Sequence, residues 1–331
     1  MHHRARVRPG GDPVPAGNYG TGLCVLAGPV EGGYNRINSR APPQRPGAVR
    51  GGRFSRGPGG TMDRIELIRR LNGVLLDEMP AYRDRAAGFP DDLPGQRRLL
   101  RSLMNLRPPM PLEREFLAMQ DALLCAERAE RGVVDAGLLP VTAGDPGLAL
   151  WQGDITRLRA DAIVDAGNDA LLGCFCPCHG CIDNAIHSAA GLQLRDECSR
   201  IMRAQGHPEP AGRAKLTGAY NLPAKYVLHT VGPVVRGRVT ERDRRELSSC
   251  YRACLELAAE HGLQTVAFCC VSTGEYHFPN EEAAEIAVKT VAGFLREPTS
   301  VRKVIFNVFK DLDAHIYRRL LGADQPPEAG A

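Results

Sequence analysis

Four cysteines and a histidine crowd into residues 174–181, which read Cys-Phe-Cys-Pro-Cys-His-Gly-Cys. Such close spacing does not suit a disulfide framework, whereas thiolates and an imidazole are ligands that zinc prefers. From the residues alone, two kinds of site remain open: a closed four-ligand zinc site that pins a loop, and a catalytic site. Residues 182–187 then begin a helix pattern, and backbone amides at a helix start can face an anion. The sequence therefore predicts a metal site at the entrance to a helix.

Two further segments place small or acidic residues at the ends of apolar runs. Residues 271–279 lie between such a run and a helix pattern, and they include Ser272 and Gly274. Backbone amides in a turn of this kind can cradle a phosphate, although strand-to-helix turns are also rich in Ser and Gly for geometric reasons alone. Asp154 follows Gly153 after another apolar run, where its carboxylate could bind a ligand amino group or simply cap a turn.

Alternating strand and helix patterns predict that these segments lie in one α/β domain. Short apolar runs indicate strands, and amphipathic periodicity indicates the helices between them. Because the order is mostly strand and then helix, we expect a mixed or parallel sheet between two helical layers. The expected strands cover residues 148–151, 162–164, 225–231, 265–271 and 303–309, and the expected helices cover residues 182–206, 241–261, 280–297 and 312–321.

A helical segment precedes this domain. Apolar residues recur at helical spacing from Ile65 to Leu75, and the same periodicity returns twice before residue 135. We therefore expect a small helical module over residues 62–135, a linker over residues 136–147 and the α/β domain over residues 148–322.

The ends of the chain and its charge balance narrow the class of protein. Residues 1–61 contain 14 Gly and 8 Pro without a sustained apolar period, so we expect a disordered tail there and a short flexible tail at residues 323–331. Residues 62–331 carry 33 basic against 36 acidic residues, so a nucleic-acid surface on the folded part is not expected. The sequence shows neither a membrane-length apolar stretch nor a signal-peptide pattern, which favours a cytoplasmic protein.

Five ordered motifs resemble those of the macrodomain family, and the resemblance spans roughly residues 148–321. It implies a three-layer α/β/α fold with a mixed central sheet. Hydrolase-type macrodomains ordinarily carry a run of glycines where this chain has the Cys-His cluster, which resembles the zinc-dependent branch of protein-ADP-ribose hydrolases. That branch also carries a helical segment ahead of the macrodomain, and in some bacteria it is linked to a sirtuin-type ADP-ribosyltransferase. The matching motifs are residues 153–156, 161–168, 182–187, 220–233 and 272–274.

The resemblance implies a role for each residue of the site. One zinc ion would be held by Cys174, His179 and Cys181, and three protein ligands leave the open position that a catalytic zinc needs. Asn168 and Asp183 would be the catalytic residues, which hold the distal ribose and the attacking water. The other ligand-binding residues would be Asp154 at the adenine amino group, Ile155 with its amide at a ring nitrogen, and the diphosphate loop of Ser272, Thr273, Gly274, Glu275, Tyr276, His277 and Phe278.

The predicted function is zinc-dependent removal of mono-ADP-ribose from side chains of modified proteins. The substrate would be an ADP-ribosylated protein, ADP-ribose would be both ligand and product, and no nucleic-acid or membrane partner is expected. The alternative is a non-catalytic module that binds ADP-ribose and has a structural zinc. Asp165 and Gly167 depart from the family's Asn-Ala-Ala-Asn run, and a carboxylate beside the ribose could weaken nucleotide binding or support the site from behind.

Overall fold

The computed structural model describes residues 53–56 and 60–322. At the start of the described residues, β1 (Arg53–Arg56) and β2 (Gly60–Asp63) form an antiparallel hairpin. The segment predicted to be a disordered tail therefore ends in paired strands, because a backbone ladder can form without the apolar pattern on which that prediction relied. The rest of that tail, residues 1–52 and 57–59, and the tail predicted at residues 323–331 lie outside the described residues.

The helical module forms four α-helices among the residues that the structure describes: α1 (Arg64–Glu78), α2 (Arg83–Ala86), α3 (Leu93–Leu106) and α4 (Arg114–Arg131). Asp63 and Asp92 cap α1 and α3 by accepting hydrogen bonds from backbone amides of the first turn. Helices α1, α3 and α4 enclose a core separate from that of the α/β domain, and Leu192 of the α/β domain completes it.

The α/β domain is built on a mixed sheet. Its strands, together with a short parallel pair of β3 and β6 beside the sheet, are β3 (Val134–Asp135), β4 (Val141–Thr142), β5 (Asp145–Gln152), β6 (Leu158–Arg159), β7 (Ala162–Ala166), β8 (Ala214–Gly218), β9 (Tyr226–Thr230), β10 (Thr265–Phe268) and β11 (Lys303–Val308). In the described part of the chain, seven of them form one sheet in the order β4-β5-β11-β10-β7-β9-β8. The five central strands are parallel, and the edge strands β4 and β8 are antiparallel to their neighbours.

Helices cover both faces of this sheet. Helices α5 (Ile182–Ala190) and α6 (Leu192–Gln205) follow β7, whereas α7 (Glu241–Glu260), α8 (Asn280–Leu295) and α9 (Asp311–Leu320) follow β9, β10 and β11. From β7 to β9 the chain moves toward one edge of the sheet, and from β9 to β10 and β11 it moves toward the opposite edge. Because such crossovers are right-handed, α5 and α6 lie on one face and α7 and α8 on the other. Helix α9, which follows the last strand, packs against α8. The predicted three-layer fold is confirmed.

Two expectations about this domain are corrected. The segment predicted as a linker, residues 136–147, supplies β4 and the first residues of β5, which pair at the edge of the sheet, so the domain begins before residue 148. The helix predicted over residues 182–206 is two helices, because Gly191 has a φ of +98°, a left-handed value that ends α5. Across residues 53–56 and 60–322, no helix is both long enough and apolar enough to cross a membrane.

Candidate functional site

The loop before α5 brings together the three predicted metal ligands. In this cysteine loop, residues 174–181, the ligand atoms of Cys174, His179 and Cys181 lie within 4.8 Å of one another, and Cys174 Sγ is 3.6 Å from His179 Nδ1. The other two cysteines of the loop do not belong to this group in the described part of the chain, and the Cys178 thiol donates to a backbone carbonyl of α3 at 3.5 Å. The cluster is therefore a set of three donors.

Hydrogen bonding between two thiols prepares this cluster for a metal. The Cys181 thiol donates to the Cys174 sulfur, which lowers the pKa of Cys174 to about 5 and raises the pKa of Cys181. A lowered thiol pKa favours the thiolate, the form of cysteine that binds metals. Two sulfur atoms and an imidazole nitrogen suit zinc, so the residues present fit a zinc ion.

Asn168 and Asp183, the predicted catalytic pair, contact each other beside the cysteine loop. The Asn168 amide donates to Asp183 Oδ2 and to the Gly173 carbonyl, both at 3.2 Å. Gly173 directly precedes the first predicted metal ligand, and Asp183 lies two residues after the last, at the start of α5. Burial raises the pKa of Asp183, and the nearby Asp165 carboxylate raises it further. The structure thus places an amide and a carboxyl group next to the three donors.

Asp165, which departs from the family pattern, lies in the core behind this pair. Its side chain is 1% exposed, and its Oδ2 atom accepts a hydrogen bond from His229 Nδ1 at 3.2 Å. Burial lowers the pKa of His229, but Cys198 and Asp165 raise it by more, so the net shift is upward. His187 Nε2 lies 3.7 Å from Asp165 and 3.4 Å from Asp183. The Asp165 carboxylate is therefore paired in the core and adds no charge to the surface that a nucleotide would contact.

The predicted diphosphate loop, residues 272–278, follows β10 and lies against the cysteine loop. The Tyr276 hydroxyl is 3.5 Å from the Gly167 carbonyl, and Glu275 Oε1 is 3.5 Å from His179 Nε2. Because His179 turns Nδ1 toward Cys174, its other ring nitrogen faces the Glu275 carboxylate, as in the carboxylate–histidine pairs that orient metal ligands. From the sequence, Glu275 was assigned to the diphosphate loop, but its contact with His179 was not predicted, because the two residues are far apart in the sequence.

The side chains of the diphosphate loop divide between the core and the surface. Ser272 is buried with a φ of +64°, and a Cβ atom on Gly232 would lie only 2.0 Å from its Oγ atom. Thr273 donates its hydroxyl to the Cys270 carbonyl at 3.1 Å. Phe278 is 1% exposed and belongs to the hydrophobic core, so only its backbone can meet a ligand. The residues at the surface are Gly274, Glu275 and His277, with Tyr276 partly exposed.

Asp154 and Ile155 lie just after β5, farther along the same edge of the sheet. Asp154 Oδ1 accepts hydrogen bonds from the amide and the hydroxyl of Thr156, at 3.0 and 2.7 Å. Its other oxygen, Oδ2, is 3.4 Å from the Arg131 guanidinium of α4, and the side chain is 21% exposed. The Ile155 side chain is buried, so only its backbone can meet a ligand.

The strand order explains why these segments share one edge of the sheet. Strands β5, β11, β10 and β7 are parallel neighbours, so their carboxyl ends lie side by side. Asp154 follows β5, the diphosphate loop follows β10, and Asn168 follows β7. With about 4.8 Å between strands, roughly 14 Å separates β5 from β7. A crevice outside the carboxyl ends of parallel strands is where α/β proteins bind nucleotides, and this span suits an elongated one.

Comparisons with known proteins agree with this architecture. Residues 164–287 match the family model described as Macro domain. A Treponema medium protein named protein-ADP-ribose hydrolase is 50% identical over 249 residues, which cover 75% of this chain and 95% of that protein. A Staphylococcus aureus (strain Mu50) protein of the same name is 49% identical over 227 residues, which cover 68% of this chain and 85% of that protein. Among solved structures, the Trypanosoma brucei macrodomain in complex with ADP-ribose is 32% identical, covers 67% of this chain and 95% of that chain, and gives a TM-score of 0.53.

The similarity to these relatives extends beyond the α/β domain. The 249 residues aligned with the Treponema protein exceed the length of that domain, so they include residues that precede it. The mixed sheet, the helices on both of its faces and the loops at its carboxyl edge fit the same family. The chain therefore belongs to the macro domain family.

Proposed function

We propose that this protein is a zinc-dependent protein-ADP-ribose hydrolase that removes mono-ADP-ribose from side chains of modified proteins. The two relatives described above are named protein-ADP-ribose hydrolases, and the Trypanosoma macrodomain was solved in complex with ADP-ribose. The observation that carries the proposal is the position of the Asn168–Asp183 pair directly beside the donors Cys174, His179 and Cys181.

An ADP-ribose unit fits this edge of the sheet in one direction. The Asp154 carboxylate repels phosphate but accepts a hydrogen bond from an amino group, so the adenine belongs at β5. The diphosphate then crosses the loop 272–278, where exposed backbone at Gly274 can face an anion. The distal ribose reaches Asn168 and Asp183 beside β7, which puts its anomeric carbon next to the cysteine loop.

The chemistry divides between the metal and the chain. A zinc ion bound to the three donors would supply a Lewis acid, which lowers the pKa of water to about 7. Asn168 donates to Asp183 Oδ2 and fixes the orientation of that carboxyl group. The Asp183 carboxyl group, whose side chain is 7% exposed beside the three donors, would accept a proton from the attacking water. The water oxygen then bonds to the anomeric carbon, the bond to the protein side chain breaks, and the proton passes to the departing side chain.

The alternative of a module that binds ADP-ribose without cleaving it had Asp165 as its main support. Because that carboxylate is buried and paired with His229, it does not face the bound ribose. The non-catalytic module is therefore an outcome of the test and not a second proposal.

The test uses the full chain and a mono-ADP-ribosylated protein as substrate. Free ADP-ribose is measured with and without a zinc chelator, and the zinc content of the protein is measured in parallel. We expect release that the chelator abolishes and that added zinc restores. Cys174→Ala should lose both zinc and hydrolysis, whereas Asp183→Ala should keep zinc and lose turnover.

The matched control is the double variant Cys176→Ser/Cys178→Ser, which removes two thiols of the same loop but no proposed ligand. It should keep zinc and activity, and loss of its zinc would indicate a closed structural site instead. Binding of ADP-ribose by the wild type without release in either condition would make the protein a binding module. Zinc loss in Asp183→Ala would remove the catalytic role given to that residue.

A further inference from the structure

Helix α3 of the helical module lies against the cysteine loop. Asn105 Oδ1 accepts a hydrogen bond from the Cys178 amide at 2.9 Å, and the Asn105 amide donates to Ser188 of α5 at 3.0 Å. Cys178 has a φ of +55°, a left-handed conformation that a residue with a side chain keeps only where its surroundings hold it. Asn105 is 2% exposed and therefore fixed in place itself. The helical module thus supports the most strained residue of the loop.

Arg101, one turn earlier on α3, contacts the same loop at two more places. Its guanidinium donates to the His179 carbonyl at 3.2 Å and to Asn184 Oδ1 at 2.7 and 3.1 Å. The Asn184 amide in turn donates to the Cys176 carbonyl at 3.0 Å. One arginine therefore connects α3 to the backbone of a proposed metal ligand directly, and to a second part of the loop through Asn184.

A buried arginine of the α/β domain joins α3 to the loop from the other side. Arg195 of α6 is 3% exposed, and its guanidinium lies 4.3 Å from the centre of the Phe175 ring in the cysteine loop. Its positive charge is at the C-terminal end of α3, where the helix dipole favours a cation. There its Nη1 atom donates to the carbonyls of Met104, Asn105 and Arg107.

The cysteine loop has little internal structure of its own. Within residues 174–181, all of which the structure describes, one hydrogen bond joins two backbone groups of the loop, from His179 N to Cys176 O at 3.2 Å. Gly180 adds backbone freedom. Without outside support, the loop would lose conformational entropy when its donors gathered around an ion, and the metal affinity would fall by that cost.

We propose that the helical module is part of the metal site: Arg101 and Asn105 of α3 are positioning residues that hold Cys174, His179 and Cys181 ready for the ion. The inference rests on the proposed zinc site and assigns a role to the module that precedes the α/β domain. Donors that are held in place before the ion arrives bind it more tightly, because less entropy is lost on binding.

The test is the zinc affinity of the full chain, measured without substrate by competition with a chromophoric chelator. Arg101→Ala should lower the affinity about 10- to 100-fold, the range seen when an outer partner of metal ligands is removed. Asn105→Ala should act in the same direction. The matched control is Arg97→Ala, because Arg97 lies on the same helix but pairs with Glu127 of α4 at 2.6 Å, and its loss should leave the affinity unchanged.

Thermal unfolding of the metal-free proteins separates positioning from a general loss of structure. Arg101 is partly exposed, so metal-free Arg101→Ala should unfold close to the wild-type temperature even if Asn105→Ala folds poorly. A loss of affinity at unchanged metal-free stability supports the inference, whereas a loss that tracks destabilisation counts against it. Wild-type affinity in both variants refutes the inference and leaves the hydrolase proposal standing. A wild-type chain that binds no zinc refutes both.

Discussion

Replacing Asp154 by asparagine should change which purine the protein prefers. Asp154 Oδ1 accepts two hydrogen bonds from Thr156, at 3.0 and 2.7 Å, and an amide oxygen can keep both. The substitution replaces the other oxygen, Oδ2, which is near Arg131, by an amide nitrogen. That atom therefore changes from a hydrogen-bond acceptor to a donor. The turn after β5 should survive while the group that meets the ligand reverses its polarity.

The size of the effect follows from the bond that is lost. In the proposed orientation Oδ2 accepts a hydrogen bond from the adenine amino group. A hydrogen bond to a charged group contributes about 1.5–3 kcal/mol, which corresponds to about a 10- to 150-fold change in Kd. Because the Asp154 side chain is 21% exposed, solvent screening places the loss toward the lower end of that range. Inosine diphosphate ribose presents a carbonyl at the same position, so the variant should bind it more tightly than the wild type does.

Isothermal titration calorimetry of both nucleotides against both proteins gives the four Kd values that decide the question. The two proteins should unfold at similar temperatures, because the Thr156 contacts remain and the lost ion pair with Arg131 is long and partly exposed. Equal weakening of the two nucleotides would mean that the substitution damages the site in general. ADP-ribose affinity equal to that of the wild type would refute the placement of adenine at Asp154.

Three further substitutions test the fold around the site. Burial tends to raise the pKa of Asp161, but hydrogen bonds from Lys225 and two backbone amides lower it by more. Asp161→Ala should therefore cost about 2 kcal/mol of unfolding free energy at pH 7. That stabilisation is present above the unfolded-state pKa of about 4 and is lost as pH falls through the lower folded-state pKa, so urea unfolding near pH 3 should show a smaller difference from the wild type. Gly232→Ala places a methyl group 2.0 Å from Ser272 Oγ and should weaken ADP-ribose binding in calorimetry, and an unchanged Kd would contradict the role of that loop. Gly191→Ala imposes a φ of +98° on a residue with a side chain and should lower the unfolding free energy by at least about 1 kcal/mol, whereas no change in urea unfolding would mean that the junction of α5 and α6 relaxes.

Much of the fold follows from patterns that are local in the sequence. The central strands could be predicted because parallel strands covered on both faces are almost uniformly apolar. The edge strands β4 and β8 could not, because their residues are mixed in polarity and become strands only by pairing with a neighbour. The break at Gly191 was also missed, since the helical pattern of apolar residues continues across it and only the backbone angle separates α5 from α6.

Some features of the candidate site could likewise be predicted from local sequence patterns, and others could not. The proposed metal ligands Cys174 and Cys181 lie close together in one motif, so their types and spacing, together with the family resemblance, were enough to propose them. The pairing of Asp165 with His229 depends on the parallel register of β7 and β9, which places those two residues opposite each other. Arg101 contacts His179, 78 positions later, and Asn105 contacts Cys178, 73 positions later. Contacts between residues so far apart cannot be predicted from the periodicity of the sequence.

The buried guanidinium of Arg195 also links the stability of the helical module to that of the α/β domain. Burial lowers the pKa of Arg195 to about 10, so the group keeps its charge at neutral pH. Its helix belongs to the α/β domain, but three of the carbonyls that accept its hydrogen bonds belong to the end of α3 or follow it. Unfolding of the helical module alone would take away these three hydrogen-bond acceptors. The helical module and the α/β domain therefore stabilise each other through one charged side chain as well as through apolar packing.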